Sequence, residues 1–289
     1  MRKKISIYLA ALTLFIVGCS KADIKQGNSE EMQFAPQMSN STKATDTAFE
    51  NGDEIGIFVV KYENGKPSPL QLSGNWANNA KASFNGSSWI VSPTIWWSDE
   101  NIQYDIFSYY PFESQLNSVD NFKFNIETNQ QADGYTRSDF MWAKTSGVKH
   151  GENAIPLNFK HKLSRIDINL LKGEDFEGEI PTDAEVRILN TVTSAQISLE
   201  TGDIEKEPYS TEHTVYARKT STGKYSAIIV PQKLLNQVPL VEIIANNISY
   251  LVSSRFIFES GMRHTMNVTL SSDPNKVIIN IGGKIDDWN

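Results

Sequence analysis

The residue types able to carry acid–base or metal chemistry are few and poorly arranged for it. The four histidines, at 150, 161, 213 and 264, do not form the HExxH or HxH pairings of a zinc site. Ser164 stands near His161 and Asp167 in the chain, but no GxSxG elbow accompanies it, and a triad is defined by geometry. Asp99-Glu100 and Asp286-Asp287 are adjacent in sequence, whereas glycoside hydrolysis needs two acids held across a cleft. Gly282-Gly283 lacks the third glycine and the following helix of a phosphate cradle and reads as a loop or bulge. No catalytic residue, metal ligand or cofactor is expected from these groups.

The remaining reactive group is Cys19, the only cysteine in 289 residues. A lone thiol closes no internal disulfide, so it is a buried thiol, a reactive group or a point of covalent modification. Its neighbours favour modification. Arg2, Lys3 and Lys4 precede an apolar run from Ile5 to Val17, and the small Gly18 follows it. This run of thirteen residues falls short of the roughly 20 that a helix needs to span a bilayer. Ile16-Val17-Gly18-Cys19 has the pattern of a bacterial lipobox, with Ile where Leu is commoner. Residues 1–18 are thus expected to be a lipoprotein signal peptide, and Cys19 the lipidated first residue of the mature chain. Each buried acyl CH₂ contributes about 0.8 kcal/mol, so several chains on one cysteine hold a domain firmly on a membrane.

Loss of residues 1–18 removes three positive charges and no acid, taking the net charge from -7 to -10. So acidic a chain is a poor partner for nucleic acid, where a basic patch supplies most of the affinity. The remaining length, about 270 residues, suffices for one large or two medium domains. Residues 20–48 are polar, with few sizeable apolar groups among them, and read as a tether containing at most one strand.

From Phe49 onward the dominant period is two. Phe122 to Glu127, Ile166 to Leu170 and Met266 to Leu270 alternate apolar with polar residues, the pattern of strands with one face on a core and one on water. Asn64-Gly65, Asn85-Gly86, Thr201-Gly202-Asp203, Thr222-Gly223 and Ser260-Gly261 punctuate these and other strand-like runs. No helical period extends over twelve residues, and Lys233 to Gln237 reads at most as a short turn of helix. Many short strands between turns mean an all-β protein of sandwich or barrel type. About fourteen strands exceed one small sandwich, so two in tandem, joined near residue 160, fit better.

Eight aromatic residues fall between Trp89 and Phe112. In strands such rings are mostly core; exposed, Trp96 and Trp97 would stack on sugar rings. Asp46-Thr47-Ala48 resembles an Asp-Thr-apolar O-glycosylation acceptor, which marks Thr47.

Taken in order, several segments resemble the fimbrillin family of Gram-negative anaerobes. TKATDTAFENGDEIGIFVV is similar to its processing-site region with Gly-Asp-x-Ile-Gly-Val-Phe, WANNAKASFNGSSWIVSPTIWW to its aromatic hairpin, YDIFSYYPF to its tyrosine-proline strand, and SDFMWA to a Ser-Asp-Leu-Leu-x-Ala segment. IPLNFKHKLSRIDINL, YSAIIVPQ, FESGMRHTMNVTL (with His264 where the family prefers Tyr) and VIINIGGKIDDW continue the likeness to residue 288. The resemblance implies two transthyretin-like β-sandwich domains in tandem, over 44–159 and 160–289. Residues 19–43 would be a lipidated tether and removable N-terminal strand. It further implies a non-enzymatic pilus subunit, exported to the outer membrane and surface, that polymerises with other fimbrillin subunits and adheres to a receptor. A protease would cut after Lys43, where the family commonly has Arg, and remove the strand "EMQFAPQMSNST", whose buried contacts would come from Phe34 and Met38. A strand of another subunit would fill the exposed groove by β-augmentation. Val277, Ile279 and Ile281 would supply such a donor strand, or else the last strand of their own domain. A monomeric surface lipoprotein that binds glycans through Trp96 and Trp97 is the alternative.

Overall fold

A computed structural model describes residues 30–38, 48–151, 153–276, 278–280 and 286–288. The strands of the first half are β1 (Phe34–Met38), β2 (Glu54–Glu63), β3 (Lys66–Pro67), β4 (Ala77–Phe84), β5 (Trp89–Ser92), β6 (Tyr104–Tyr110), β7 (Phe122–Asn125), β8 (Met141–Val148) and β9 (Ile155–His161), with a single helical turn, α1 (Gly134–Arg137), before β8. Then come β10 (Ser164–Lys172), β11 (Glu185–Val192), β12 (Ser194–Ile197), β13 (Ile204–Lys206), β14 (Glu212–Tyr216), β15 (Arg218–Ser221) and β16 (Lys224–Ile229). The chain ends in β17 (Gln232–Ala245), β18 (Ile248–Phe258), β19 (Met262–Leu270), β20 (Ile278–Asn280) and β21 (Asp286–Asp287). The all-β expectation holds.

An eight-stranded sheet has the order β1-β9-β8-β6-β2-β4-β5, with β3 beside β2. Beyond residue 160 the orders are β15-β16-β10-β19-β20, with β21 also on β19, and β14-β11-β17-β18. A third small sheet, β13-β12-β7, takes β7 from the first half and two strands from the second. The halves are therefore joined by backbone hydrogen bonds as well as by the short link between β9 and β10. Trp142 of β8 adds to this junction, its indole N–H donating to the Leu199 carbonyl at 2.8 Å. Gly202 lies against that ring: a Cβ there would come within 2.6 Å of the indole, and its φ of +71° also favours glycine.

Turn chemistry explains several hairpins. Asn64 and Gly65, with φ of 52° and 76°, join β2 to β3, the double left-handed conformation of a type I′ turn. Asn246 and Asn247, at 52° and 61°, do the same between β17 and β18, a signal the sequence reading passed over because neither is glycine.

Two expectations fail. Lys233 to Gln237 is strand, not helix, because β17 pairs with β18 from Gln232↔Phe258 to Ala245↔Ile248, with two register shifts on the way; tertiary pairing outweighs a weak local preference. Nor does every alternating strand have a wet face. β2 and β6, for which no alternation was read, are buried on both sides: Ile55, Ile57 and Val59 enter one apolar cluster, and Phe58, Val60, Phe107 and Tyr109 the other, which continues into the second half. β10 hides its polar face too, since Arg165 and Asp167 are both buried.

Those charges are satisfied internally. Asp167 accepts from Arg165 Nε at 2.9 Å, Ser226 Oγ at 2.7 Å and Arg263 Nε at 2.6 Å. Burial alone would raise the Asp167 carboxyl, but the charges of Arg165 and Arg263 and the Ser226 hydrogen bond hold it below the usual range. Two buried glutamines replace missing ladder partners. Gln130 accepts from Ile228 N–H and donates to the Ile228 carbonyl, both at 2.8 Å, and Gln232 does likewise with Val192 at 3.0 Å. Gln232 is the residue that ends the Pro-Gln motif.

Asp167→Asn is expected to destabilise the fold by roughly 3 kcal/mol at neutral pH, since it removes the carboxylate charge that faces both the Arg165 and Arg263 guanidinium groups. A carboxyl with a lowered folded pKa stabilises above its unfolded value of about 3.9 and loses that contribution as pH falls through the folded value. Chemical denaturation at pH 7 and pH 3 should therefore show the gap between wild type and variant narrowing on the acid side; a gap independent of pH would refute it. Gln232→Leu should cost roughly 2 kcal/mol by leaving the Val192 amide and carbonyl unpaired, and hydrogen exchange at the Val192 amide should accelerate more than at Ile243 in the same sheet.

Candidate functional site

Residues 30–38 form a single clasp on the eight-stranded sheet. β1 pairs in parallel with β9, from Phe34↔Ile155 to Met38↔Phe159, and Ile155 N–H donates to the Gln33 carbonyl at 2.7 Å. The backbone groups of Gln33, Ala35 and Gln37 thus face β9, while those of Phe34, Pro36 and Met38 face away. Pro36, which has no N–H, consequently interrupts no hydrogen bond of the pair and sits where edge strands tolerate proline.

Upstream the segment crosses to other partners. Trp97 N–H donates to the Glu30 carbonyl at 2.9 Å and Met32 N–H to the Ile95 carbonyl at 2.8 Å, with Glu31 opposite Trp96 in an antiparallel bridge. Ile95 to Trp97 follow β5, the far edge of the sheet. Nine residues thereby tie β9 to the segment that follows β5 in the chain.

The side chains alternate accordingly. Met32 and Phe34 are buried at 1% and 9% exposure, and Pro36 and Met38 are half-buried, whereas Gln33, Ala35 and Gln37 face solvent. Met32 and Phe34, with Met38 packed against them, complete a cluster with Ile57, Ile95, Tyr104, Leu157 and Phe159. Met32, the most deeply buried of the four, was missed by attention to Phe34 and Met38; the two-residue spacing back from Phe34 would have found it. Burying a Met or Phe side chain contributes about 1.5–3 kcal/mol. The clasp is also fastened outside by His150 Nε2, 3.0 Å from the Glu30 carboxylate.

The second strand-exchange candidate lies at the other end of the chain. β20 pairs antiparallel with β19, placing Ile279 opposite Val268. β21 returns along Met262 and Arg263, and the Trp288 ring stacks on His161 at 4.2 Å while the Trp288 backbone N–H donates to the Gly261 carbonyl. Cys19, Lys43, Thr47, Val277 and Ile281 lie outside the described residues.

The other chemical groups resolve into structural roles. His161 Nδ1 lies 2.8 Å from Asp139, not Asp167, and Ser164 Oγ is buried without a hydrogen-bond partner, so the three make no triad. His264 is packed against Phe256 and Phe258, and burial lowers its pKa. No cluster of three His, Cys, Asp or Glu suited to a metal occurs among the described residues. Of the aromatic run, Tyr104, Phe107, Tyr109, Tyr110 and Trp97 are core, and burial pushes the Tyr109 and Tyr110 hydroxyls upward. Trp97, at 5% exposure, offers no ring to a ligand, while Trp96 is 47% exposed. No helix among the described residues is long and apolar enough to cross a membrane.

Known proteins resemble this chain in sequence and in fold. A candidate fimbrium subunit, Fim1C, of Bacteroides uniformis is 24% identical over 306 residues, covering 100% of this chain and 96% of the relative. A candidate fimbrium tip subunit of the same name from Bacteroides ovatus is 26% identical over 58% of this chain and 35% of its own. The crystal structure of a candidate cell adhesion protein from Bacteroides ovatus superposes with a TM-score of 0.71 at 19% identity, covering 90% of this chain and 98% of the other, a likeness of fold. A fimbrillin-like family model matches residues 42–288. With nearly the whole described chain matched in sequence and the same all-β architecture found in a solved relative, the chain belongs to the fimbrillin-like family.

Proposed function

We propose that this chain is a structural subunit of a surface fimbrium, anchored as an outer-membrane lipoprotein through Cys19, that assembles by exchange of its N-terminal strand and serves adhesion. Family membership supports the fimbrial role. The observation that carries the exchange step is the clasp itself: β1 is an edge strand, bonded on one side only, whose Met32 and Phe34 fill the apolar core. Its withdrawal opens a groove along β9 with unpaired backbone groups and vacant apolar sites, the two features a foreign strand needs for β-augmentation.

Covalent continuity holds β1 in place in the intact chain. A cut after Lys43 ends that tethering, after which the segment competes with other strands as a separate molecule. Lys in place of Arg narrows the proteases able to cut, because an ammonium does not reproduce the planar contacts of a guanidinium. With β20 and β21 paired to β19, the C-terminal strands are occupied at home, so donation by them would first require their release.

The test is limited trypsin digestion of the full chain carrying Cys19→Ala, with N-terminal sequencing and unboiled SDS gels. Cutting after Lys43 should be followed by an SDS-resistant ladder, and excess synthetic peptide EMQFAPQMSNST should suppress it by refilling the groove. In the uncut chain, Phe34→Asp should loosen the clasp and speed trypsin cleavage after Lys43. A cut chain that stays monomeric and does not take up the peptide refutes strand exchange.

A further inference from the structure

The two exposed tryptophans among the described residues lie together. Trp76 and Trp96 are 40% and 47% exposed, and the Trp76 indole N–H donates to the Trp96 carbonyl at 2.8 Å. The neighbouring polar groups are already ordered. Lys61 Nζ lies 3.4 Å from the Trp76 ring centroid, and Glu31 stands opposite Trp96 across the antiparallel bridge, which places both side chains on one face. Before Trp76, the loop is held by its own amides: Gln71 N–H donates to Asn75 Oδ1 at 3.1 Å, and Asn75 N–H to Asn78 Oδ1 at 2.9 Å.

A core role explains Trp97 but not these rings, because burying an indole stabilises far more than leaving it wet. Rings bordered by amide, carboxylate and ammonium groups fit a ligand with an apolar face and a hydroxylated rim better than an aliphatic protein surface. A pyranose ring has this form. We propose that Trp76 and Trp96 form a saccharide-binding site for a neutral hexose unit of a glycan, which stacks its C–H face on Trp96 and directs hydroxyls toward Glu31 and the Gln71–Asn78 loop. Both rings and the loop lie after Lys43, whereas Glu31 belongs to the strand that exchange would remove, so the complete site is that of the uncut chain.

The experiment is native affinity electrophoresis of the full chain carrying Cys19→Ala, through gels containing a mannan, a galactan or a β-glucan. At least one polysaccharide should retard the wild type. Trp96→Ala should weaken the apparent affinity about tenfold or more, which corresponds to about 1.4 kcal/mol, and Trp76→Ala should also weaken it. Ile90→Ala, which removes a 59% exposed apolar group elsewhere on the sheet, should change nothing. Thermal melts of the variants should match wild type, because neither ring is core. Absence of retardation in all three gels, retention of full retardation by Trp96→Ala, or an equal loss in Ile90→Ala overturns the proposal.

Discussion

The first half of the molecule depends on how the apolar face of its eight-stranded sheet is covered. An open sheet has two edges of unpaired backbone groups and an inner face that must be covered. Here a short segment, 30–38, adds a strand along β9 and bonds to Ile95 and Trp97, which follow β5 in the chain, while Met32 and Phe34 enter the apolar cluster of the sheet. The strand is made for this place. Its outward side chains are small or polar, its inward ones apolar, and its proline is turned so that the missing N–H falls on the free edge. The same features make it replaceable, since a strand bonded on one side can be substituted by any other of matching side-chain spacing.

The second half uses a different means of holding the chain to one arrangement. Its sheets meet the first through β7 on β12, the Trp142–Gly202 contact and the polar groups around Asp167. These polar groups add little net stability compared with an apolar core of the same shape, but misplacing any of them leaves a buried charge or amide unpaired. Tyr135 of α1 reaches this cluster, its hydroxyl 3.1 Å from Ser226 Oγ, so a residue from the first half helps complete the site in the second. Gln130 and Gln232 act similarly, their side-chain amides taking the place of a neighbouring strand's peptide.

Much of this was legible in the sequence. The period of two from Phe49 onward, the Asn-Gly and Thr-Gly turns and the absence of a helical period settled an all-β fold, because side-chain alternation and positive φ are local properties of the chain. Ordered motifs from Thr42 to Trp288 identified the family. An N-terminal strand with Phe34 and Met38 as its buried contacts was an expectation of the resemblance, not of the residue spacing.

The rest was decided by tertiary contacts. A polar residue at every second position says only that one face is polar; it does not say whether that face meets water, as in β7, or a buried guanidinium, as in β10. Adjacent tryptophans in a strand point opposite ways, so Trp96 and Trp97 had to differ, but which one faces the core depends on the antiparallel bridge to Glu31. Likewise, the pairing of Lys233 and Leu234 with Ile257 and Phe256 and the meeting of Trp76 with Trp96 are long-range contacts. Local sequence determines the kind of element, because φ, ψ and side-chain period are set within a few residues. Which elements become neighbours is determined only when every edge and buried polar group in the fold has found its partner.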